Sequence, residues 1–309
     1  MDDVKFPLQY YRYLIIAGTT KAGTTSLFNW LAEHPEVSAS FRKETNFFLD
    51  KEWENPSVYR YEDGIEKYGA NYRYSSAEKL YIEASPEYLY SPGTPVKIIN
   101  SLPKAKILFI LRDPFSRLIS WYKFAKQIGI ISPNLTFENF IIQQSQNTGS
   151  IKSNILEQGL YSKYLVRYFE IFDSNRVKVI FFEELSANPF EVMKDICKFC
   201  EIDLEFYNNF QFEVFNKSER MRFVKIHQIY IAIRKNLSLN MPLMYIRLKK
   251  IWDYFKPLYI WLNSIKDHEL IISKHARLNI FDYYAHEINN LESLLKRPIP
   301  WRIEKWQNQ

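Results

Sequence analysis

A lysine lodged between two glycines, in a loop that closes on hydroxyl side chains, has the composition of a phosphate site. The segment YLIIAGTTKAGTTSLFNWL sets Gly18 and Gly23 in G-x-x-x-x-G spacing around Lys21, and Thr24, Thr25 and Ser26 follow. An apolar strand, a small-residue loop and a helix start aim free backbone N–H groups and the positive end of a helix at an anion. Lys21, Ala22, Gly23, Thr24, Thr25 and Ser26 are therefore the candidate phosphate contacts. A nucleotide P-loop carries its lysine directly after the second glycine. Here Thr24 takes that place and the lysine lies inside the loop, which weakens a plain ATPase reading. Standing alone, the loop also fits an ordinary strand-to-helix turn in which Thr24, Thr25 and Ser26 cap the helix.

A second anion site is written in KAKILFILRDPFSRLISWYKF. Arg112 falls at the carboxyl end of a buried strand, Asp113 is the expected N-cap of the next helix, and Pro114 suits its first position. Ser120, two turns into that helix, faces the same side as Arg112, so both can hold one phosphate. Without the first motif, Arg112 reads equally well as the partner of a surface carboxylate, and Ser120 as a solvated helix residue. In FRKETNFF, Lys43 and Glu44 stand just before Asn46, Phe47 and Phe48. A hydroxyl is a poor nucleophile until its proton is taken in the transition state, so group transfer to a hydroxyl calls for a carboxylate or a histidine within hydrogen-bond reach. Alone, Glu44 is also a plain surface glutamate ahead of a buried Phe pair.

Together these segments resemble the sulfotransferases that use 3′-phosphoadenosine 5′-phosphosulfate (PAPS), above all the branch that modifies glycosaminoglycans and its bacterial relatives. TKAGTTS is similar to the family's 5′-phosphosulfate loop. LRDPFSRLISWY is similar to its 3′-phosphate motif, in which the arginine and the serine eight residues later bind the 3′-phosphate. The likeness extends to FRKETNFF, to YIEASPEYLYSPGTPVKIINSLPKAKILFILRDP, to Gly159–Tyr161 with the later VIFFEEL, and to the tail LESLLKRPIPW.

The resemblance implies sulfuryl transfer from PAPS to a hydroxyl, less readily an amino group, of a carbohydrate, glycolipid or related acceptor. The product would be 3′-phosphoadenosine 5′-phosphate (PAP), and no metal is required. It makes Glu44 the catalytic base, as in the family's K-E-x-x-F-F motif. Lys21 and the loop amides would meet charge on the leaving 5′-phosphate during in-line displacement. Lys43 would help hold the sulfuryl oxygens. Arg220 and Arg222, in the basic segment NKSERMR, are expected to fold over the 3′-phosphate or adenine, as a late basic loop does in the family. One departure stands out: some relatives carry a second active-site lysine in E-K-T-P-x-Y-F, whereas this chain reads EASPEYL, with Ala84 in that place.

The elements needed to position these groups are legible as well. Buried strands are expected at Tyr13–Ala17, Leu80–Ala84, Ile107–Leu111 and Val177–Phe182. Helices are expected at Thr25–Glu33, Thr94–Ser101, Pro114–Lys126 and Ser162–Phe172. This alternation predicts an α/β fold, a P-loop-like parallel sheet flanked by helices, with the ligand at the carboxyl ends of the strands. After Asp203 the strand signal fades into aromatic-rich helical stretches. The expectation is a single domain over 1–309, with an α/β core at 1–203 and a helical C-terminal lobe at 204–309. In FEVMKDICKFCEID, Met193, Ile196, Cys197 and Cys200 share one apolar helix face, so the two cysteines read as core rather than as a redox pair. His34, His227, His268, His275 and His286 show no metal-ligand spacing and read as structural or exposed.

A net charge of +6 and a pI of about 9.0 suit an anionic ligand but are too modest to call for nucleic acid. The start, MDDVKFPLQYYRYLIIAG, lacks the basic and apolar regions of a secretory signal, which gives a soluble, cytoplasmic chain as the expectation. The apolar stretch Ile251–Ile265 contains Asp253, Lys256 and Pro257 and is shorter than the roughly 20 residues of a membrane span. Two rival readings remain. In RLKKIWDYFKPLYIWL, basic and aromatic residues suit a peripheral membrane contact, although Pro257 breaks the helical face and favours a helix pair packed on the core. A P-loop kinase or NTPase would use a carboxylate of VIFFEE to help hold Mg²⁺, but it leaves the Arg112/Ser120 pair unexplained.

Overall fold

Four apolar runs without a polar alternation can be buried only if both of their faces are covered, and the structure does this with helices on either side of a parallel sheet. The computed structural model describes residues 8–53, 59–74, 78–147, 149, 151, 153–214, 220–221, 223–241, 244, 248, 251, 254–255, 259, 262, 264–265, 270–301 and 306. The strands are β1 (Tyr13–Gly18), β2 (Val37–Ala39), β3 (Leu80–Ala84), β4 (Lys106–Leu111) and β5 (Val177–Phe181), in the order β2-β3-β1-β4-β5 with every pairing parallel. β1 and β3 are buried at every position, and β4 at all but Lys106.

Alternate residues of each strand feed two separate cores. Tyr13, Ile15 and Ala17 of β1 join Phe109 and Leu111 of β4 on one face. There they meet helices α3 (Thr94–Ser101) and α6 (Tyr161–Ile171) through Ile98, Leu165 and Tyr168. Leu14, Ile16, Leu108 and Ile110 point the other way. They pack on α1 (Thr24–Ala32) through Leu27 and Leu31, and on α8 (Pro189–Cys200) through Met193 and Ile196. Cys197 and Cys200 lie in this second core as free thiols, and burial pushes both up to about 12. They are core residues, as their helix face predicts.

Between these lie α2 (Ile65–Gly69), α4 (Pro114–Ile128), α5 (Phe137–Ser145) and α7 (Phe182–Ala187). Asp113 caps α4 by accepting from Ser116 N at 2.7 Å, and Pro114 follows it. β5 ends one residue earlier than its apolar run suggests, because Phe182 opens α7 instead of closing the strand. β2 was not apparent in the sequence: three residues are too few to show a period, and pairing with β3 is what makes them a strand.

The C-terminal part contributes α9 (Val224–Asn240), α10 (Lys274–Tyr284) and α11 (Glu287–Leu295). α10 joins a third core through Ile280 and Tyr284, which pack with Phe115, Leu118 and Tyr122 of α4. α11 is fastened to the start of α6, where Glu287 accepts from Ser162 N at 2.8 Å and from its hydroxyl at 2.7 Å. The helical C-terminal lobe also carries one short strand pair. Arg220–Met221 (β6) and Ser264–Ile265 (β7) form a short antiparallel pair, too brief to leave a sequence signal. Among the described residues no helix is long and apolar enough to cross a membrane.

Candidate active site

β1 and β4 are neighbours in the middle of the sheet, so their carboxyl ends release two loops side by side. Thr19 N, the first amide after β1, donates to Ile110 O of β4 at 2.8 Å and ties the two exits together. The first loop then turns sharply through Lys21 (φ 66°) and Gly23 (φ 90°). Gly23 is required twice over, since a side chain disfavours that φ and its Cβ would lie 3.0 Å from the Phe182 ring. Lys21 adopts the left-handed conformation without that licence, at a cost of about 1–2 kcal/mol. Its carbonyl is held there by Arg112 Nη1 at 3.1 Å. The loop after β1 and the β4 arginine are thus one structure.

The two cations nearest the loop rest on aromatic faces. Lys21 Nζ sits 4.1 Å from the centroid of Phe124, and the Arg112 guanidinium 4.6 Å from that of Phe182. Tyr161 donates its hydroxyl to Arg112 O at 2.7 Å, and Glu183 accepts from Asp113 N at 2.9 Å, so the Arg112–Asp113 turn is held from both sides. Burial first, then the positive charges of Arg112 and Lys43, pull the Lys21 ammonium down to about 8.

The two cations and their rings line a cleft of about 750 Å³. Lys21, Gly23, Thr24, Thr25 and Ser26 line one wall, Arg112 and Ser120 a second, and Lys43 and Glu44 a third. Lys43 Nζ lies 2.8 Å from Glu44 Oε1, with the glutamate side chain half exposed and the lysine largely covered. Ala22 is the exception in its segment: its methyl belongs to the core with Ile16 and Leu108, so only its backbone can face a ligand. Of Arg220 only the backbone, in β6 beside α4, is described, and Arg222 lies outside the described residues.

Two buried donors at the cleft have no hydrogen-bond partner, Arg112 Nε and Thr20 Oγ1. Orphaned donors beside three cations fit a multiply charged anion such as a nucleotide phosphate. Among the described residues no group of three or more His, Cys, Asp or Glu is arranged to hold a metal ion. The carboxylates of VIFFEEL are already engaged. Glu183 takes Asp113 N on one oxygen and Trp301 Nε1 on the other at 2.8 Å, and Glu184 lies 3.8 Å from Arg297. His34 is fully buried, accepting from Glu36 N at 3.1 Å and meeting Asp203 O at 2.7 Å, which makes it structural.

Residues 12–244 match the family model described as the sulfotransferase domain. The chain belongs to the sulfotransferase family. The human bifunctional heparan sulfate N-deacetylase/N-sulfotransferase 2 is 30% identical over 194 residues, covering 61% of this chain and 22% of that protein. The membrane-associated sulfotransferase kil1 of Dictyostelium discoideum is 37% identical over 116 residues, covering 37% of this chain and 23% of that protein. The chain thus spans under a quarter of the length of either relative. The crystal structure of a sulfotransferase from Alicyclobacillus acidocaldarius shares the fold, with a TM-score of 0.64 at 21% identity over 95% of this chain and 98% of that one.

In this sulfotransferase the aromatic supports were not singled out from sequence. Phe124 lies one helical turn after Ser120 and Phe182 directly follows β5, so helical periodicity and the strand end were the available signals. The depressed Lys21 has a pH consequence. Its lowered value means the ammonium is present below about pH 8 and lost above it, where an ordinary lysine would stay charged. PAP affinity, measured by calorimetry, should weaken as pH rises through this range, and Lys21→Arg should flatten the decline. A profile that is flat in the parent would mean that Lys21 does not meet the ligand's charge.

Proposed function

We propose that this chain moves the sulfuryl group of PAPS to a hydroxyl, less readily an amino group, of a carbohydrate or related acceptor. The observation that carries the reading is the joining of Lys21, Arg112 and the Lys43–Glu44 pair around one cleft. When bound, PAPS supplies an activated sulfuryl group on a phosphate leaving group. Lys21 and the N–H groups at the start of α1 meet the charge that grows on the leaving 5′-phosphate. Arg112 and Ser120 hold the 3′-phosphate, and Lys43 lies beside the sulfuryl oxygens. Glu44 takes the acceptor proton while the bond from acceptor oxygen to sulfur forms and the bond from sulfur to the 5′-phosphate oxygen breaks. The heparan sulfate named for the human relative supports a sugar acceptor, and the word N-sulfotransferase in its name keeps an amine in play.

A kinase or NTPase reading gains nothing from the site, because the Glu183 carboxylate it would need already serves Asp113 N and Trp301. Two substitutions separate binding from chemistry. Arg112→Ala should weaken PAP binding about tenfold or more in calorimetry, since a charged hydrogen bond contributes roughly 1.5–3 kcal/mol; unchanged affinity in a folded variant would remove Arg112 from the site. Glu44→Gln keeps shape and PAP affinity but lacks the basic oxygen, so transfer of radiolabelled sulfuryl at saturating acceptor should fall about 10²- to 10⁴-fold. A loss of only a few-fold would hand the role to another group.

A peripheral membrane contact of the C-terminal lobe is proposed on separate grounds. α9 exposes Ile226, Ile229 and Ile233 in a helical stripe, and the described Tyr254 and Phe255 of the Ile251–Ile265 stretch are exposed too. Between Arg220 and Lys266, Asp253 is the sole acidic residue among many basic ones, a balance that suits anionic lipid. The protein should float with phosphatidylserine-containing liposomes and not with purely zwitterionic ones. Absence of flotation with either rules the contact out.

A further inference from the structure

Glu83 is the penultimate residue of β3, fully buried, and has no place in the chemistry described so far. Its carboxylate is ringed by four hydroxyl groups. Oε2 accepts from Thr45 at 2.5 Å and Ser85 at 2.7 Å, and Oε1 from Tyr68 at 3.0 Å and Tyr88 at 3.3 Å. An ionised carboxylate only accepts, so it draws all four hydroxyl protons inward and leaves the hydroxyl oxygens to accept from elsewhere.

Three of those oxygens receive consecutive backbone amides of one segment. Asn46 N donates to Ser85 Oγ at 3.0 Å, Phe47 N to Thr45 Oγ1 at 3.4 Å and Phe48 N to Tyr88 Oη at 3.2 Å. On the other side of Glu44, Lys43 O accepts from Ala84 N at 2.8 Å, the residue next to Glu83. The backbone at Asn46 is left-handed (φ 54°), a conformation that asparagine tolerates better than most residues and that the bond from its N–H to Ser85 helps to hold. The stretch that presents Lys43 and Glu44 to the cleft is therefore pinned on both flanks to the end of β3. Burial raises the Glu83 carboxyl and the four hydroxyl bonds lower it, with burial the larger effect.

We propose that Glu83 is a positioning residue for sulfuryl transfer: through three hydroxyl relays it fixes the backbone of residues 45–48, and with it the direction in which Lys43 and Glu44 enter the cleft. The proposal rests on the reading of Glu44 as base. Fixing the carboxylate matters because a misplacement of about 1 Å costs on the order of 10²-fold in rate. It also accounts for a carboxylate kept in the core without a cationic partner among the described residues, since its bonds go to hydroxyls that each serve the loop or its packing.

The decisive variant is Glu83→Gln, which turns an amide NH₂ toward hydroxyl protons and breaks the relays on one oxygen. Hydrogen exchange at the amides of 46–48 should speed up about tenfold or more. PAP affinity should stay within about two-fold, because the phosphate loop is untouched, while kcat falls about 10- to 100-fold. In a Glu44→Gln background the same change should cost clearly less than it does in the parent, since the part that runs through Glu44 has nothing left to position and only the part through Lys43 remains.

Unchanged exchange at 46–48, unchanged kcat, a parallel loss of PAP affinity, or a full further loss in the Glu44→Gln background would each overturn the proposal. Should Glu83→Gln fail to fold, Ser85→Ala removes the single relay to Asn46 and is read in the same way, with Ser85→Thr expected to restore kcat. Failure of the base assignment is distinguishable, because it would appear in Glu44→Gln alone as near-parent turnover. In that case a kcat loss in Glu83→Gln with intact PAP affinity would run through Lys43, and no loss would overturn the positioning role.

Discussion

Positive charge gathered where β1 and β4 leave the sheet is the constraint around which the rest of the structure is arranged. Lys21, Arg112 and Lys43 face one cleft, where burial and the charges of the other two work against the Lys21 ammonium and burial works against the Arg112 guanidinium. The protein lowers this cost with soft partners. Phe124 and Phe182 offer their ring faces to Lys21 and Arg112, each contact contributing about 0.5–2 kcal/mol. The ring faces leave the N–H donors of the cations available. A carboxylate in the same places would neutralise the cations and compete with the ligand.

Carboxylates are used one layer further back, where they hold backbone. Glu183 grips Asp113 N and so fixes the turn that carries Arg112. Glu287 grips Ser162 N at the head of α6, next to the Tyr161 whose hydroxyl holds Arg112 O, and burial pushes this carboxyl up to about 7. Glu83 does the equivalent for residues 46–48 through hydroxyls. Glu183 and Glu287 satisfy N–H groups directly, and Glu83 orients the hydroxyls that do so, so rigid geometry around the cleft follows from the rule that buried donors find acceptors.

The Lys21 and Arg112 walls are built from strand ends and helix starts that the sheet fixes directly, whereas the Lys43–Glu44 wall is a loop held from behind. Glu44 remains half exposed at that wall. A loop of this kind tolerates changes in what it meets, provided its anchors persist.

The sequence by itself determined the sheet and the two loops that meet at the cleft. Strand runs such as Leu80–Ala84 and the cap Asp113-Pro114 are local signals, set by burial on two faces and by the orphan N–H groups at a helix start. Gly23 and Lys21 were legible for the same reason, since spacing along a strand–loop–helix unit fixes their positions without reference to distant residues. Only the tertiary structure decided what depends on contacts across the chain. The stacking of Lys21 on Phe124 and of Arg112 on Phe182, the capture of Asp113 N by Glu183, the pairing that makes Val37–Ala39 a strand and the hydroxyl ring around Glu83 each join residues remote in sequence. Helical period and a strand end mark the places of Phe124 and Phe182, but the contacts themselves follow from the crossover order of the sheet, which brings β3 beside β1 and β4 beside both β1 and β5.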